Sequence, residues 1–140
     1  MRNDCVFCAI LDGEVPCFKV YEDDTVLAYL DINPFADGHT LVIPKKHVTG
    51  LLASDDELLA QVVPRVKKIA RHVVETLGAD GFNILQNNGE AAGQSVFHLH
   101  FHIIPRRKGE PLSFTPAKGD LGRLERMAAR LHFEDGAGVL

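Results

Sequence analysis

Residues 98–103 read His98-Leu99-His100-Phe101-His102-Ile103, and this alternation organises the reading of everything around it. In an extended strand successive side chains point to opposite faces. His98, His100 and His102 therefore share one face, while Leu99, Phe101 and Ile103 share an apolar face suited to packing on a helix. Three imidazoles along about 13 Å of backbone are poor core material, since each ring carries two nitrogens that need partners. One reading is bland: a half-exposed strand whose polar face happens to be histidine. Two kinds of chemistry also use such a row. Neutral imidazoles ligate metals, and a neutral imidazole attacks an electrophile while its neighbours fix its tautomer and handle protons. With an unperturbed pKa near ~6.5, a good fraction of such rings is neutral at pH 7.

Immediately upstream, Asn87-Asn88-Gly89 and Gly93-Gln94-Ser95 supply backbone N–H groups, an amide and a hydroxyl. Glycines permit conformations in which consecutive N–H groups converge on an anion, so this loop reads as a phosphate cradle, although turns commonly use the same residues. The loop joins two predicted strands, 81–86 (GFNILQ) and 97–104 (FHLHFHII). Segment 17–31 reads as a hairpin, with Phe18/Val20 and Val26/Ala28/Leu30 alternating around Glu22-Asp23-Asp24. Asn33-Pro34 breaks the run, Asp37-Gly38 marks a turn, and 39–44 (HTLVIP) is a β-rich strand stopped by proline.

The clearest helix lies between a capping box, Ser54 with Glu57, and Gly78. Leu59, Val62, Val63, Val66, Ile69, Ala70, Val73 and Leu77 recur there at helical spacing, with Pro64 expected to kink the helix or loosen a hydrogen bond. After a Pro/Gly-spaced stretch, 105–119, a short helix is predicted with Leu121, Leu124, Ala128 and Leu131 on one side. A strand meander interrupted by one long helix argues for an α+β fold with a mainly antiparallel sheet.

The composition bounds the function. With 140 residues, 46% hydrophobic and 24% charged, the chain has the make-up of one globular domain that buries roughly 68–70% of its extended-chain surface. A net charge of −4 lacks the long-range field that binding to a nucleic-acid polymer requires. No apolar run reaches membrane-spanning length, and residues 1–5 lead into nothing as apolar as a signal peptide. Three cysteines in a domain that needs no disulfides point to a reducing compartment, read as the cytoplasm. Cys17 is expected to be a packed thiol, and His72 and His132 surface residues.

The segment from His98 to Ile104 matches the His-apolar-His-apolar-His-apolar-apolar signature of the histidine triad (HIT) family of nucleotide-binding hydrolases and transferases. The chain resembles that family at 6–10 (VFCAI), 30–34 (LDINP), 38–47 (GHTLVIPKKH) and from Asn87 through Pro105, much like its Hint-like and dinucleoside polyphosphate hydrolase-like members. The resemblance implies a five-stranded antiparallel sheet with one long helix and a short C-terminal helix, a single domain over 1–140 with 106–140 as a variable extension, and usually a homodimer with a ten-stranded sheet. It implies that His100 is the nucleophile at the α-phosphorus of a nucleoside phosphoramidate or dinucleoside polyphosphate, forming a nucleotidyl-histidine that water cleaves to a nucleoside monophosphate.

By the same resemblance, the carbonyl of His98 holds the far nitrogen of His100, while His102 and His39 bind phosphate oxygens. Ser95 contacts the phosphate or leaving group, with Asn87, Gly93 and Gln94 completing the cradle. Asp31 binds the ribose, and Phe7, Ile10, Ile32 and Leu41 wall the base pocket for a purine nucleotide of AMP or GMP type. Cys5 and Cys8, a Cys-x-x-Cys pair, join His47 and His98 as expected ligands of one structural zinc per chain; the competing reading is a reduced, unmetallated pair. No organic cofactor is expected. Other functional classes stay open at this stage: a nucleotidyl transferase, a nucleotide-binding or protein-interaction module with incidental hydrolysis, and a metal-dependent hydrolase using the three histidines.

Overall fold

The computed structural model describes residues 5–135. Strands β1 (Lys19–Glu22), β2 (Val26–Leu30), β3 (Thr40–Pro44), β4 (Gly81–Leu85) and β5 (Phe101–Arg106) form one sheet in the order β1-β2-β3-β5-β4. Every neighbouring pair is antiparallel. With helices α1 (Val6–Leu11), α2 (Asp56–Leu77) and α3 (Leu121–Leu131), this is the α+β architecture expected. β2 and β3 are buried at every position, which explains why VLAYL and TLVIP read as continuous apolar runs.

The two sheet faces carry two cores. On one, Leu99, Phe101 and Ile103 pack with Val62, Val66, Ile69, Val73 and Leu77 of α2 and with Leu124, Ala128 and Leu131 of α3. On the other, Leu27, Tyr29, Leu41 and Ile43 pack with Cys5, Phe7 and Cys8 at α1. The first is the apolar face read from the alternation. Val63 and Leu121, assigned to buried stripes, are instead exposed.

Several boundaries differ from expectation for physical reasons. Asp55, not Ser54, caps α2, its carboxylate accepting from the Leu58 N–H at 2.8 Å; the Ser54 hydroxyl donates instead to the Gly50 carbonyl at 2.9 Å. α2 runs unbroken through Pro64. The carbonyl deprived of its donor is that of Ala60, on the solvent side of the helix, where water replaces the N–H. The predicted strand 97–104 shortens to β5, because the Leu99 N–H bonds the Val48 carbonyl (2.8 Å) and not a sheet neighbour. α1 was not predicted: Cys5 caps it through its sulfur, which accepts from the Cys8 N–H at 3.2 Å.

His72 is half-buried, donating from Nε2 to the Leu131 carbonyl (2.8 Å) and lying against Phe133 with ring centroids 4.0 Å apart; it helps dock α3 and is not a plain surface residue. His132 is exposed, and Cys17 is a half-buried thiol whose pKa burial raises. Among the described residues, no helix is long and apolar enough to cross a membrane.

Candidate functional site

A cavity of about 300 Å³ opens between α1, the β2 end and the row of histidines. Eight of the residues singled out in the sequence line it: Phe7, Ile10, Asp31, Ile32, Leu41, Ser95, His100 and His102. β3 and β5 set the registers Leu41↔His102 and Thr40↔Ile103, which bring His39 beside His102. Phe7 projects from α1 onto the His100 ring, edge to face, with centroids 5.0 Å apart.

The row is buried, contrary to the expectation that three imidazoles make poor core: His98, His100 and His102 are 0%, 6% and 8% exposed. Burial is tolerated because each ring has a fixed polar partner on at least one nitrogen, and those partners set each tautomer. A backbone carbonyl only accepts and a backbone amide only donates. His100 Nδ1 lies 2.7 Å from the His98 carbonyl; that nitrogen carries the proton, and Nε2 keeps its lone pair. His39 Nδ1 accepts from the Phe35 N–H at 3.0 Å, so its proton sits on Nε2, 2.9 Å from His102 Nδ1. His102 Nδ1 is thereby the acceptor, and its own proton occupies Nε2.

The same logic separates two clusters of possible metal ligands. His98 Nε2 donates to the Pro44 carbonyl at 2.8 Å, leaving the Nδ1 lone pair turned toward Cys5, Cys8 and His47. The Nδ1 of His98 is 3.5 Å from Cys5 Sγ, 3.6 Å from Cys8 Sγ and 3.1 Å from His47 Nδ1, which is 3.2 Å from Cys8 Sγ. A tetrahedral zinc with its usual bond lengths separates sulfur from nitrogen by about 3.5 Å and nitrogen from nitrogen by about 3.3 Å. The four side chains fit such an ion. Asp31, His39 and His102 also cluster, but His39 offers a protonated Nε2 to that group and so presents no lone pair to a cation.

Four expected phosphate-binding residues do not line the cavity. Gln94 is buried and spends its amide inside the loop, accepting from the Gly89 N–H (2.8 Å) and donating to the Thr49 (2.7 Å) and Val96 (3.1 Å) carbonyls. Its role is to shape the loop that presents Ser95. Asn87 and Gly93 are neighbours, the Asn87 amide nitrogen 3.7 Å from where a Cβ at Gly93 would stand, and His39 lies one ring back from the cavity, behind His102. Conversely, Val15, Pro16, Tyr29 and Val96 line the cavity without having been singled out, as does Cys17, expected only as a packed thiol. Tyr29 is 4% exposed, and its hydroxyl has no hydrogen-bond partner among the described residues.

Burial governs the electrostatics. It lowers the pKa of His39 to about 3 and of His102 to about 4. Burial also lowers His100, opposed by the His98 carbonyl and the Asp31 charge. Asp31 is raised by burial, with the Asn33 N–H (2.8 Å) opposing. His39 and Asp31, 3.7 Å apart, are therefore a polar contact with a neutral ring.

The consequence for stability has a definite sign. Above the unfolded pKa of ~6.5 both states hold neutral rings and the two histidines contribute nothing; below it the unfolded chain takes up protons that the folded chain refuses. Stability is expected to fall as pH drops from about 6.5 toward 4, by up to about 1.4 kcal/mol per pH unit for each ring. Urea unfolding across this range checks it: His39→Asn should flatten the slope, and an unchanged slope contradicts neutral burial.

Known proteins share this sequence pattern and fold. The chain is 48% identical over 112 residues to the adenylylsulfatase HINT3 of Arabidopsis thaliana, covering 80% of this chain and 57% of that longer protein. It is 45% identical over 106 residues to the adenosine 5′-monophosphoramidase hnt1 of Schizosaccharomyces pombe, covering 76% and 77%. The fold superimposes on a Hit-like protein of Bartonella henselae with a TM-score of 0.85 and 44% identity, over 92% of this chain and 95% of that one. It superimposes on a zinc-bound histidine triad protein of Mycobacterium smegmatis with a TM-score of 0.76 and 47% identity, over 91% and 95%. The HIT domain family matches residues 12–109, and on its histidine row, its sheet and these likenesses the chain belongs to the HIT family.

Proposed function

We propose that the chain is a nucleotide hydrolase that cleaves at the α-phosphate of nucleoside phosphoramidates or dinucleoside polyphosphates. One observation carries this reading: the His98 carbonyl takes the Nδ1 proton of His100, which leaves a neutral Nε2 lone pair on a ring that lines an apolar cavity. The His100 Nε2–phosphorus bond forms as the bond from phosphorus to the leaving nitrogen or oxygen breaks, and the leaving atom keeps the electron pair. Water then attacks phosphorus, the phosphorus–nitrogen bond breaks, and a nucleoside monophosphate departs. Splitting the displacement this way replaces one difficult step by two easier ones.

The neighbours supply orientation and charge. His102 donates from Nε2 to a phosphate oxygen as negative charge develops there, and the Ser95 hydroxyl contacts the leaving group. Asp31 accepts from the two ribose hydroxyls, with Phe7, Ile10, Ile32 and Leu41 enclosing a purine. Two relatives, an adenylylsulfatase and an adenosine 5′-monophosphoramidase, support a substrate carrying a nucleoside monophosphate on a labile leaving group. His100→Asn is expected to bind AMP within a few-fold of wild type while kcat on adenosine 5′-phosphoramidate falls at least about 10³-fold. Wild-type kcat/KM should stay level from pH 8 through the ordinary histidine pKa of ~6.5 and decline only in more acidic solution, because burial lowers the His100 pKa. Retained turnover in His100→Asn contradicts the nucleophile.

Cys5, Cys8, His47 and His98 would hold one structural zinc, which ties α1 to the segment leading into β5 and steadies the carbonyl that orients His100. Metal analysis should find about one zinc per chain, with Cys8→Ser well below that and melting at lower temperature. Full-strength folding with no bound zinc contradicts this.

A homodimer is the assembly proposed. Among the described residues β4 pairs only with β5 and leaves its outer backbone edge open; Phe82 (45% exposed), Ile84 (45%) and Val63 (49%) form an apolar groove beside it. An open edge beside exposed apolar side chains invites a second copy to continue the antiparallel sheet. Wild type should have twice the chain mass by light scattering, and Ile84→Lys should be monomeric; a monomeric wild type contradicts the assembly.

A further inference from the structure

Residues 113–119 lie beyond the matched family span of 12–109, carry no regular secondary structure and are mostly exposed. Nevertheless they bond to the loop between β2 and β3. The Gly119 N–H donates to the Ile32 carbonyl at 3.0 Å, and the Ala117 N–H to the Pro34 carbonyl at 2.9 Å, an antiparallel register two residues long. Phe114 meets Phe35 edge to face with centroids 6.0 Å apart. Arg106 fastens the start of the segment: its guanidinium lies 4.9 Å over the Phe114 ring and donates to the Ser113 carbonyl at 2.7 Å. The approach is close enough to demand glycine, since a Cβ at Gly119 would stand 2.2 Å from the Ile32 carbonyl oxygen.

The accepted carbonyls identify what the segment does. The Ile32 carbonyl belongs to the same peptide unit as the Asn33 N–H, which donates to Asp31 Oδ1 at 2.8 Å. The Pro34 carbonyl belongs to the same unit as the Phe35 N–H, which donates to His39 Nδ1 at 3.0 Å. A peptide unit is planar, so holding its carbonyl on one side aims its N–H on the other. Hydrogen bonding at the oxygen also polarises the unit and strengthens the N–H as a donor. Each of the two backbone hydrogen bonds from the segment thus leads to a side chain of the site: one to Asp31, the other through His39 to His102.

We propose that residues 113–119 are a positioning strap that orients these two peptide units, and that Gly119 and Ala117 act separately on the two halves of the site, through Asp31 and through the His39–His102 pair. Neither residue touches the cavity, so both are positioning residues. The inference rests on the proposed hydrolase reading for its kinetic part only.

The test uses the full chain with Ala117→Pro, which removes one strap donor, Gly119→Ala, which pushes the other away, and Lys118→Ala as the control. In Ala117→Pro, kcat on adenosine 5′-phosphoramidate should fall about ten-fold or more with KM little changed, because the proton on His102 is no longer directed. In Gly119→Ala, KM should rise about ten-fold with the smaller effect on kcat, because Asp31 loses its fixed orientation. Two-bond proton–nitrogen spectra of isotope-labelled histidine provide a readout that needs no turnover: His39 should hold its proton on Nε2 in wild type and Lys118→Ala, and lose that preference in Ala117→Pro.

Phe114→Ala, which removes a ring contact and leaves the backbone alone, should weaken both kinetic constants in a folded protein should Gly119→Ala fold poorly. The proposal is overturned if Ala117→Pro keeps the wild-type His39 tautomer, or if every loss of activity merely follows a lowered melting temperature with unchanged ring signals. Should the protein hydrolyse no nucleotide while the His39 tautomer still responds to Ala117→Pro, the hydrolase reading fails and the strap stands.

Discussion

The bond from His100 Nδ1–H to the carbonyl of His98, 2.7 Å long, is the constraint on which the site's chemistry depends. An imidazole left to itself exchanges its proton between two nitrogens; one anchored to a carbonyl does not, because the carbonyl accepts and never donates. The device recurs. Pro44 sets the tautomer of His98 and the Phe35 amide sets that of His39. Three backbone groups of fixed polarity thus assign the protons of four rings, the fourth being His102, which receives its assignment from His39. The antiparallel registers of β3 and β5 keep these groups in place.

Burial completes what the backbone begins. Rings taken out of water resist protonation, which is why His39 and His102 lie far below the ordinary histidine range. A protonated His100 would lose the lone pair on which the proposed attack depends. The unfavourable side is stability in mild acid, where the unfolded chain binds protons that the folded one cannot. His98 and His39 lie far apart in the sequence, and their tautomers turn them to different ends. His98 offers a lone pair to a cluster of soft ligands, and His39 offers a proton to its neighbour.

Much of this was legible in the sequence, for reasons that particular residues make clear. Strict alternation over six residues separated a face bearing imidazoles from a face bearing Leu99, Phe101 and Ile103, and the core against α2 and α3 follows from it, while the burial of the imidazole face does not. The α2 stripe was equally plain, apart from Val63. What escaped depends on partners distant in sequence. Gln94 resembles a phosphate ligand until the Thr49 carbonyl, forty-five positions away, claims its amide. Six-residue α1 is apolar at every position and under two turns long, so it shows no period, and only its Cys5 cap marks it. The start of β5 was misplaced because Leu99 bonds to Val48 outside the sheet. Nothing local in residues 113–119 announces that their amides meet Ile32 and Pro34.

The central claim is that the middle ring of the row carries the substrate's phosphorus during turnover. Its most direct test is rapid acid-free quenching of the protein with excess adenosine 5′-phosphoramidate, followed by digestion and peptide mass mapping. An adenylyl mass on the peptide containing His100, located on that residue by fragmentation and appearing before AMP is released, is the predicted result. Burst kinetics with the label on any other residue, or turnover with no covalent species at times shorter than one cycle, would contradict it.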